Sequence, residues 1–210
     1  MNYVELLLER YPALCVCGES VNAAITALID TYRRGGKLLL CGNGGSAADC
    51  DHIVGELMKG FLKKRPLSDE SRARMRARFP DLSDATLSGL QGGLAAISIP
   101  SAVALGTAFA NDADARLSFA QATLALGREG DVLVAISTSG NAENVVLAAE
   151  VARGLGMTVI ALTGEGGGRL AFVADIAVRA PSRETFAVQE LHLPIYHAIC
   201  AAVEDAFFTC

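Results

Sequence analysis

The chain has no excess of positive charge, no Cys-x-x-Cys pair and neither of the common glycine signatures for nucleotides, and each absence removes a class of function. With 18 Lys and Arg against 23 Asp and Glu, its formal net charge of −5 offers no electrostatic footprint for nucleic acid. The one basic cluster, Lys63-Lys64-Arg65 with Arg72, Arg74, Arg76 and Arg78, is local and reads as a solvated helix face. No apolar run reaches the roughly 18 residues of a membrane-spanning helix. Met1-Asn2-Tyr3-Val4-Glu5 also lacks the basic-then-apolar order of a secretory signal. The expected compartment is therefore the cytoplasm, without a membrane partner. Six cysteines (Cys15, Cys17, Cys41, Cys50, Cys200, Cys210) fit reduced and mostly buried thiols. Cys15 and Cys17 together offer a soft metal two ligands, fewer than a closed zinc site uses.

What is present is an alternation of helical and strand patterns. At 210 residues, with 51% hydrophobic and 20% charged residues, the chain can bury the core of one domain over 1–210. Apolar positions at helical spacing (Leu6, Leu7, Ala13, Val21, Ala24, Ile25, Leu28, Ile29) predict a helix over 3–33, which Gly35-Gly36 stops. Strands are predicted at about 37–41, 94–99, 132–136, 157–162 and 175–179, with helices at about 46–59, 115–127, 141–154 and 184–208. Nearly all-apolar strands separated by helices define an α/β fold, a doubly wound parallel sheet sandwiched by helices in three layers. Residues 60–92 break the rhythm: polar and basic, with a helix expected at 68–78 between Pro66 and Pro80, they read as an insertion.

Leu38-Leu39-Leu40-Cys41-Gly42-Asn43-Gly44-Gly45-Ser46 carries an apolar strand into a glycine-rich turn that can bring backbone N–H groups against a phosphate. The device repeats where Val132–Ile136 runs into Ser137-Thr138-Ser139-Gly140-Asn141. Both loops fall beyond the carboxyl ends of strands, where doubly wound sheets bind ligands. Tight turning explains one glycine loop, but two with matched Ser, Thr and Asn point to a phosphorylated polyol. A nucleotide is disfavoured, because Gly42-Asn43-Gly44-Gly45-Ser46-Ala47 lacks the third glycine of Gly-x-Gly-x-x-Gly and no Gly-Lys-Ser/Thr follows.

Histidine is scarce, with three in the chain. His52 and Glu56, four apart, share one helix face, a spacing that suits two metal ligands or an acid/base pair. The other two, His192 and His197, lie on the final helix with Gln189 and Glu190. Glu190 and His197 are seven apart and align, whereas Gln189 diverges from His197 by roughly 80° at 3.6 residues per turn. Pro194 sits between these candidates and can kink the helix. His192 lies on another face and reads as a structural or interface residue.

Leu40–Ser46, His52 with Glu56, Ile136–Asn141 and Val188-Gln189-Glu190-Leu191-His192 with His197 together resemble the sugar isomerase (SIS) domain, and within it the phosphoheptose isomerases. The resemblance covers about 20–58 and 94–208. It implies a homotetramer with active sites at subunit interfaces, one Zn2+ per site, and conversion of sedoheptulose 7-phosphate to D-glycero-D-manno-heptose 7-phosphate. It implies that Asn43, Gly44, Gly45 and Ser46 line the substrate with Ser137, Thr138 and Ser139, that Asn111 and Asp112 lie near the sugar, and that His52, Glu56, Gln189 and His197 bind zinc. It thus prefers Gln189 to the Glu190 that helical phase selects, and places Glu56 and Gln189 at the substrate. The chain departs from the family pattern at Ala142, at Phe186 and in the longer 60–92 insertion.

Isomerising a ketose to an aldose takes a proton from C1 and returns one at C2 through a cis-enediol, while O1 and O2 exchange hydrogen. Glu56 as carbon base and His197 as its partner are the catalytic candidates, and zinc would act as a Lewis acid. A carboxylate that ligates metal is a poorer base, so these two roles of Glu56 compete. Other classes open to an SIS chain are a non-catalytic sugar-phosphate sensor, a replication-initiation-type factor, and an isomerase or deglycase for another phosphosugar.

Overall fold

Strands buried on both faces must be apolar at every position, and these are: Leu38–Gly42 and Val132–Ile136 are buried throughout. The computed structural model describes residues 2–208, so Cys210 lies outside the described residues. In chain order the elements are α1 (Tyr3–Arg10), α2 (Gly18–Arg33), β1 (Leu38–Gly42), α3 (Gly45–Met58), α4 (Asp69–Arg78), α5 (Asp84–Gly89), β2 (Ala96–Ser98) and α6 (Val103–Asp112). There follow α7 (Ser118–Leu126), β3 (Val132–Ile136), α8 (Glu143–Gly154), β4 (Thr158–Gly164), α9 (Gly168–Val173), β5 (Ile176–Ala180) and α10 (Thr185–Phe207). The five strands form one parallel sheet in the order β2-β1-β3-β4-β5. This is the doubly wound order whose direction reverses between β1 and β3.

Strand side chains alternate between two helical layers. Leu38, Leu40, Val132, Val134, Ile136, Ile160 and Leu162 pack with Val21, Leu28, Ile53, Leu57, Ile195 and Ile199 of α2, α3 and α10. Leu39, Cys41, Leu133, Ala135, Val159 and Ala161 pack with Ala122, Val145, Ala149 and Leu170 of α7, α8 and α9. His192 belongs to the first layer: it is fully buried, with Nε2 3.2 Å from the Thr163 carbonyl of β4, and burial pushes its pKa down. It is a structural residue.

The expected single helix over 3–33 is two helices. Asn2 caps α1 by accepting from the Val4 and Glu5 N–H groups, and Pro12, lacking its own N–H, starts a separate 3-10 turn over Pro12–Cys17 before α2. Pro12–Arg33 together, 22 residues, is long and apolar enough to cross a membrane by length and composition, which corrects the expectation that no such stretch exists. Its Leu14, Cys17, Val21, Ala24 and Leu28 are buried in the core cluster, as a core helix requires. The apolar α6, not anticipated as a helix, buries none of its residues.

The insertion forms α4 and α5, capped by Ser68 and Ser83, and a Pro66–Gln91 bridge closes its base. The reading of its basic cluster as a solvated face fails at Arg65, whose side chain is completely buried. Arg65 Nε donates to Glu204 Oε1 at 2.8 Å, Nη1 to the Leu57 carbonyl at 2.6 Å and Nη2 to the Glu56 carbonyl at 2.9 Å. The guanidinium also stacks on the Phe208 ring, 4.5 Å from its centroid. Glu204 further accepts from the N–H groups of Phe61 and Leu62. Burial alone would raise the Glu204 pKa, but those N–H groups and Arg65 outweigh it and hold it low. Arg65 thus serves the last carbonyls of α3, which helix ends leave without partners, and ties them to α10.

Removing one partner of a buried ion pair strands the other. Arg65→Met should therefore cost about 3–5 kcal/mol in chemical denaturation, and Arg65→Met with Glu204→Leu should recover a substantial part of it. A single variant as stable as the parent would contradict the clamp.

Candidate active site

The two loops lie side by side at the reversal point, since Gly42 of β1 pairs with Ile136 of β3. Gly44 adopts φ +54, which turns the chain sharply from β1 into α3. The second loop is pinned from behind: at Gly140 (φ +66) a Cβ would lie 1.9 Å from the Gly167 carbonyl oxygen, so the tight approach requires glycine. Asn141 reinforces it, accepting from the Arg169 N–H and donating to the Ser139 carbonyl. Asn43 ties the first loop to the first turn of α8, just after the second loop, through a reciprocal amide pair with Asn144, both bonds 2.9 Å. Among the described residues, the hydroxyls of Ser46, Ser137 and Thr138 have no protein hydrogen-bond partner.

Seven residues down α3 from Gly45, or roughly 10 Å at 1.5 Å per residue, stands a second group. His52 Nε2 lies 3.3 Å from Glu56 Oε1 and 3.5 Å from His197 Nε2, so α3 and α10 bring three of the four expected ligands together. The ring of His197 meets Phe61 at 5.5 Å, Tyr196 at 5.1 Å and His52 at 5.0 Å. Burial pushes the His197 pKa down, His52 adds to this, and Glu56 opposes it. Lys59 Nζ stands 3.4 Å from the other Glu56 oxygen. Behind His52, Tyr196 Oη is 3.0 Å from His52 Nδ1 and donates to Asp49 Oδ1 at 3.2 Å.

A tetrahedral zinc with bonds of about 2.1 Å separates its donor atoms by about 3.4 Å, close to both distances from His52 Nε2. An imidazole nitrogen and a carboxylate oxygen face to face also favour a cation between them. Among the described residues, however, no group of three His, Cys, Asp or Glu side chains is gathered tightly enough to define a metal centre unaided. Gln189 stands apart: its amide packs over Gly45, where an added Cβ would meet Nε2 at 2.5 Å. Gln189 therefore links α10 to the first loop, while Glu190, the choice of helical phase, is exposed. Asn111 and Asp112 end α6, exposed and bonded to each other at 2.8 Å, with no hydrogen bond to either loop. Ala142 precedes α8 without a side-chain cap, and Phe186 opens α10 largely exposed.

Three residues near the site went unnoticed in the sequence, Asn144, Asp49 and Tyr196, and a fourth, Arg65, was read as solvated. Asp49 could have been found, being three before His52 on the same face; the others depend on distant partners.

An SIS-domain family model matches residues 17–95 and 88–164, and the chain belongs to the SIS-domain family, grouping within it with the phosphoheptose isomerases. It is 38% identical over 190 residues to the phosphoheptose isomerase of Rhodospirillum rubrum, covering 90% of this chain and 87% of that protein. It is 41% identical over 191 residues to that of Mycobacterium tuberculosis, covering 90% and 84%. Among solved structures, the phosphoheptose isomerase of Francisella tularensis superposes with a TM-score of 0.77 at 31% identity, covering 97% of this chain and 95% of that one. That of Neisseria gonorrhoeae gives 0.75 at 32% identity, covering 93% and 91%.

The electrostatics of His197 can be read by proton NMR of chelator-treated protein. Removing the neighbouring imidazole in His52→Ala should move its titration midpoint up, and removing the carboxylate charge in Glu56→Gln should move it down. Shifts in the same direction would refute this assignment of neighbours.

Proposed function

We propose that this chain is a phosphoheptose isomerase, interconverting sedoheptulose 7-phosphate and D-glycero-D-manno-heptose 7-phosphate through an enediol. The observation that carries this reading is that α3 leaves the first hydroxyl-bearing loop at Gly45 and carries His52 seven residues, or roughly 10 Å, further along, where it meets Glu56 and His197. A seven-carbon chain of about 1.5 Å carbon–carbon bonds spans about that distance from a terminal phosphate to C1. Ser46, Ser137, Thr138 and Ser139 would hold the phosphate through neutral donors, neither loop containing a basic residue. Asn43, Gly44, Gly45, Gln189, Asn111 and Asp112 complete the proposed sugar-binding set.

Glu56 is the proposed base at C1. Its side chain is mostly buried, beside His52. His197, whose neutral form burial favours, exchanges the hydrogen between O1 and O2. His52, Glu56 and His197 would hold zinc, with Gln189, whose amide packs over Gly45 in this structure, as the proposed fourth ligand; the ion would supply Lewis-acid polarisation of the substrate oxygens.

We further propose a cytoplasmic homotetramer with sites at subunit interfaces and no nucleic-acid or membrane partner. The unburied apolar face of α6 supports the assembly, as does an apolar groove of about 220 Å3 between α1 and α10 that reaches His197. The free thiols of Cys15, Cys17, Cys41, Cys50 and Cys200 are compatible with a reducing compartment.

Purified protein should form the aldose from sedoheptulose 7-phosphate. Glu56→Gln and His197→Ala should each lower kcat at least ~10²-fold while circular dichroism stays unchanged. Near-parental turnover in either variant would refute the assigned roles.

A further inference from the structure

The group behind His52 is unused by the proposed chemistry. Asp49, His52 and Glu56 line one face of α3, and Tyr196 reaches across from α10 to touch the first two. The Tyr196 hydroxyl has one proton and two neighbours that could accept it. If it pointed at His52 Nδ1, the Asp49 carboxylate would be left without any donor, because Asp49 Oδ2 is already buried with no partner. Stranding a partly buried carboxylate whose Oδ2 already lacks a partner is costly. If the proton points at Asp49 Oδ1, Tyr196 Oη becomes an acceptor, and only a protonated Nδ1 can satisfy it. The opposite face of the ring is more forgiving: the His52 side chain is 41% exposed, so Nε2 can be served by water. The cost of leaving Asp49 unserved therefore outweighs the benefit of an Nε2–H bond to Glu56.

We propose that Tyr196, anchored on Asp49, is a positioning residue that holds the proton of neutral His52 on Nδ1 and so presents the Nε2 lone pair to Glu56 and His197. This rests on the isomerase reading for its purpose, since a ligand histidine must offer a bare nitrogen, but not for its geometry. Relayed contacts of this type orient metal-bound histidines and typically carry 10–100-fold in metal affinity.

The test is long-range nitrogen–proton NMR of the imidazole on chelator-treated full-length protein at about pH 8.5, some two units above an ordinary histidine pKa. The three histidines are assigned by single substitution. The parent should show the Nδ1–H tautomer at His52, and Tyr196→Phe, which keeps the ring, should move the population toward Nε2–H. Asp49→Leu, freeing the Tyr196 proton for Nδ1, should do the same. In competition titrations with zinc alone, Tyr196→Phe should bind roughly 10–100-fold more weakly than the parent. An Nε2–H tautomer in the parent, or an unchanged tautomer in Tyr196→Phe, overturns the proposal; unchanged zinc affinity overturns the link to the metal face. Failure of the isomerase reading would show instead as a parent that forms no aldose, whatever its tautomer.

Discussion

The buried pair of Arg65 and Glu204 joins the three segments on which the site depends. One guanidinium closes the carbonyl end of α3, which carries His52 and Glu56, and salt-bridges α10, which carries His197 and Gln189. Glu204 in turn gathers the Phe61 and Leu62 backbone, placing the Phe61 ring against His197. Facing helices packed only by apolar side chains can slide relative to one another. A fully satisfied ionic knot, costly when half-formed, favours a single register.

The sheet supplies the other fixed distance. Reversal of strand order between β1 and β3 opens a crevice lined by two small-residue loops, and α3 is the rigid spacer from that crevice to the group of His52, Glu56 and His197. The Asn43–Asn144 pair and the glycine contact at Gly140 hold the loops before any ligand arrives. Preorganised donors of this kind need little rearrangement on binding. The chain belongs to the SIS-domain family and is similar to phosphoheptose isomerases; the proposed function puts a phosphate at one end of this site and proton transfer at the other.

How much of this could be read from the chain followed from locality. All five strands were legible, because parallel strands covered on both faces leave continuous apolar runs. So were the two loops and the His52–Glu56 pair, whose geometry is set within a few residues. Helix α6 was missed because Val103–Ala110 shows no amphipathic period. The break at Pro12 was visible, but helical spacing on either side of it masked the interruption. Arg65 was misread because its partner lies 139 residues away, and nothing local distinguishes a lysine-flanked arginine that is buried from one that is solvated. The choice between Gln189 and Glu190 turned on phase, whereas the structure aims Gln189 at Gly45.

The central claim is that α3 and α10 form a proton-transfer site, and isotope tracing tests it most directly. When sedoheptulose 7-phosphate is turned over in deuterium oxide, transfer through an enediol places solvent deuterium at C2 of the aldose, because a proton held on a side chain can exchange before it returns. Product formed at a parental rate with only protium at C2 would contradict the account.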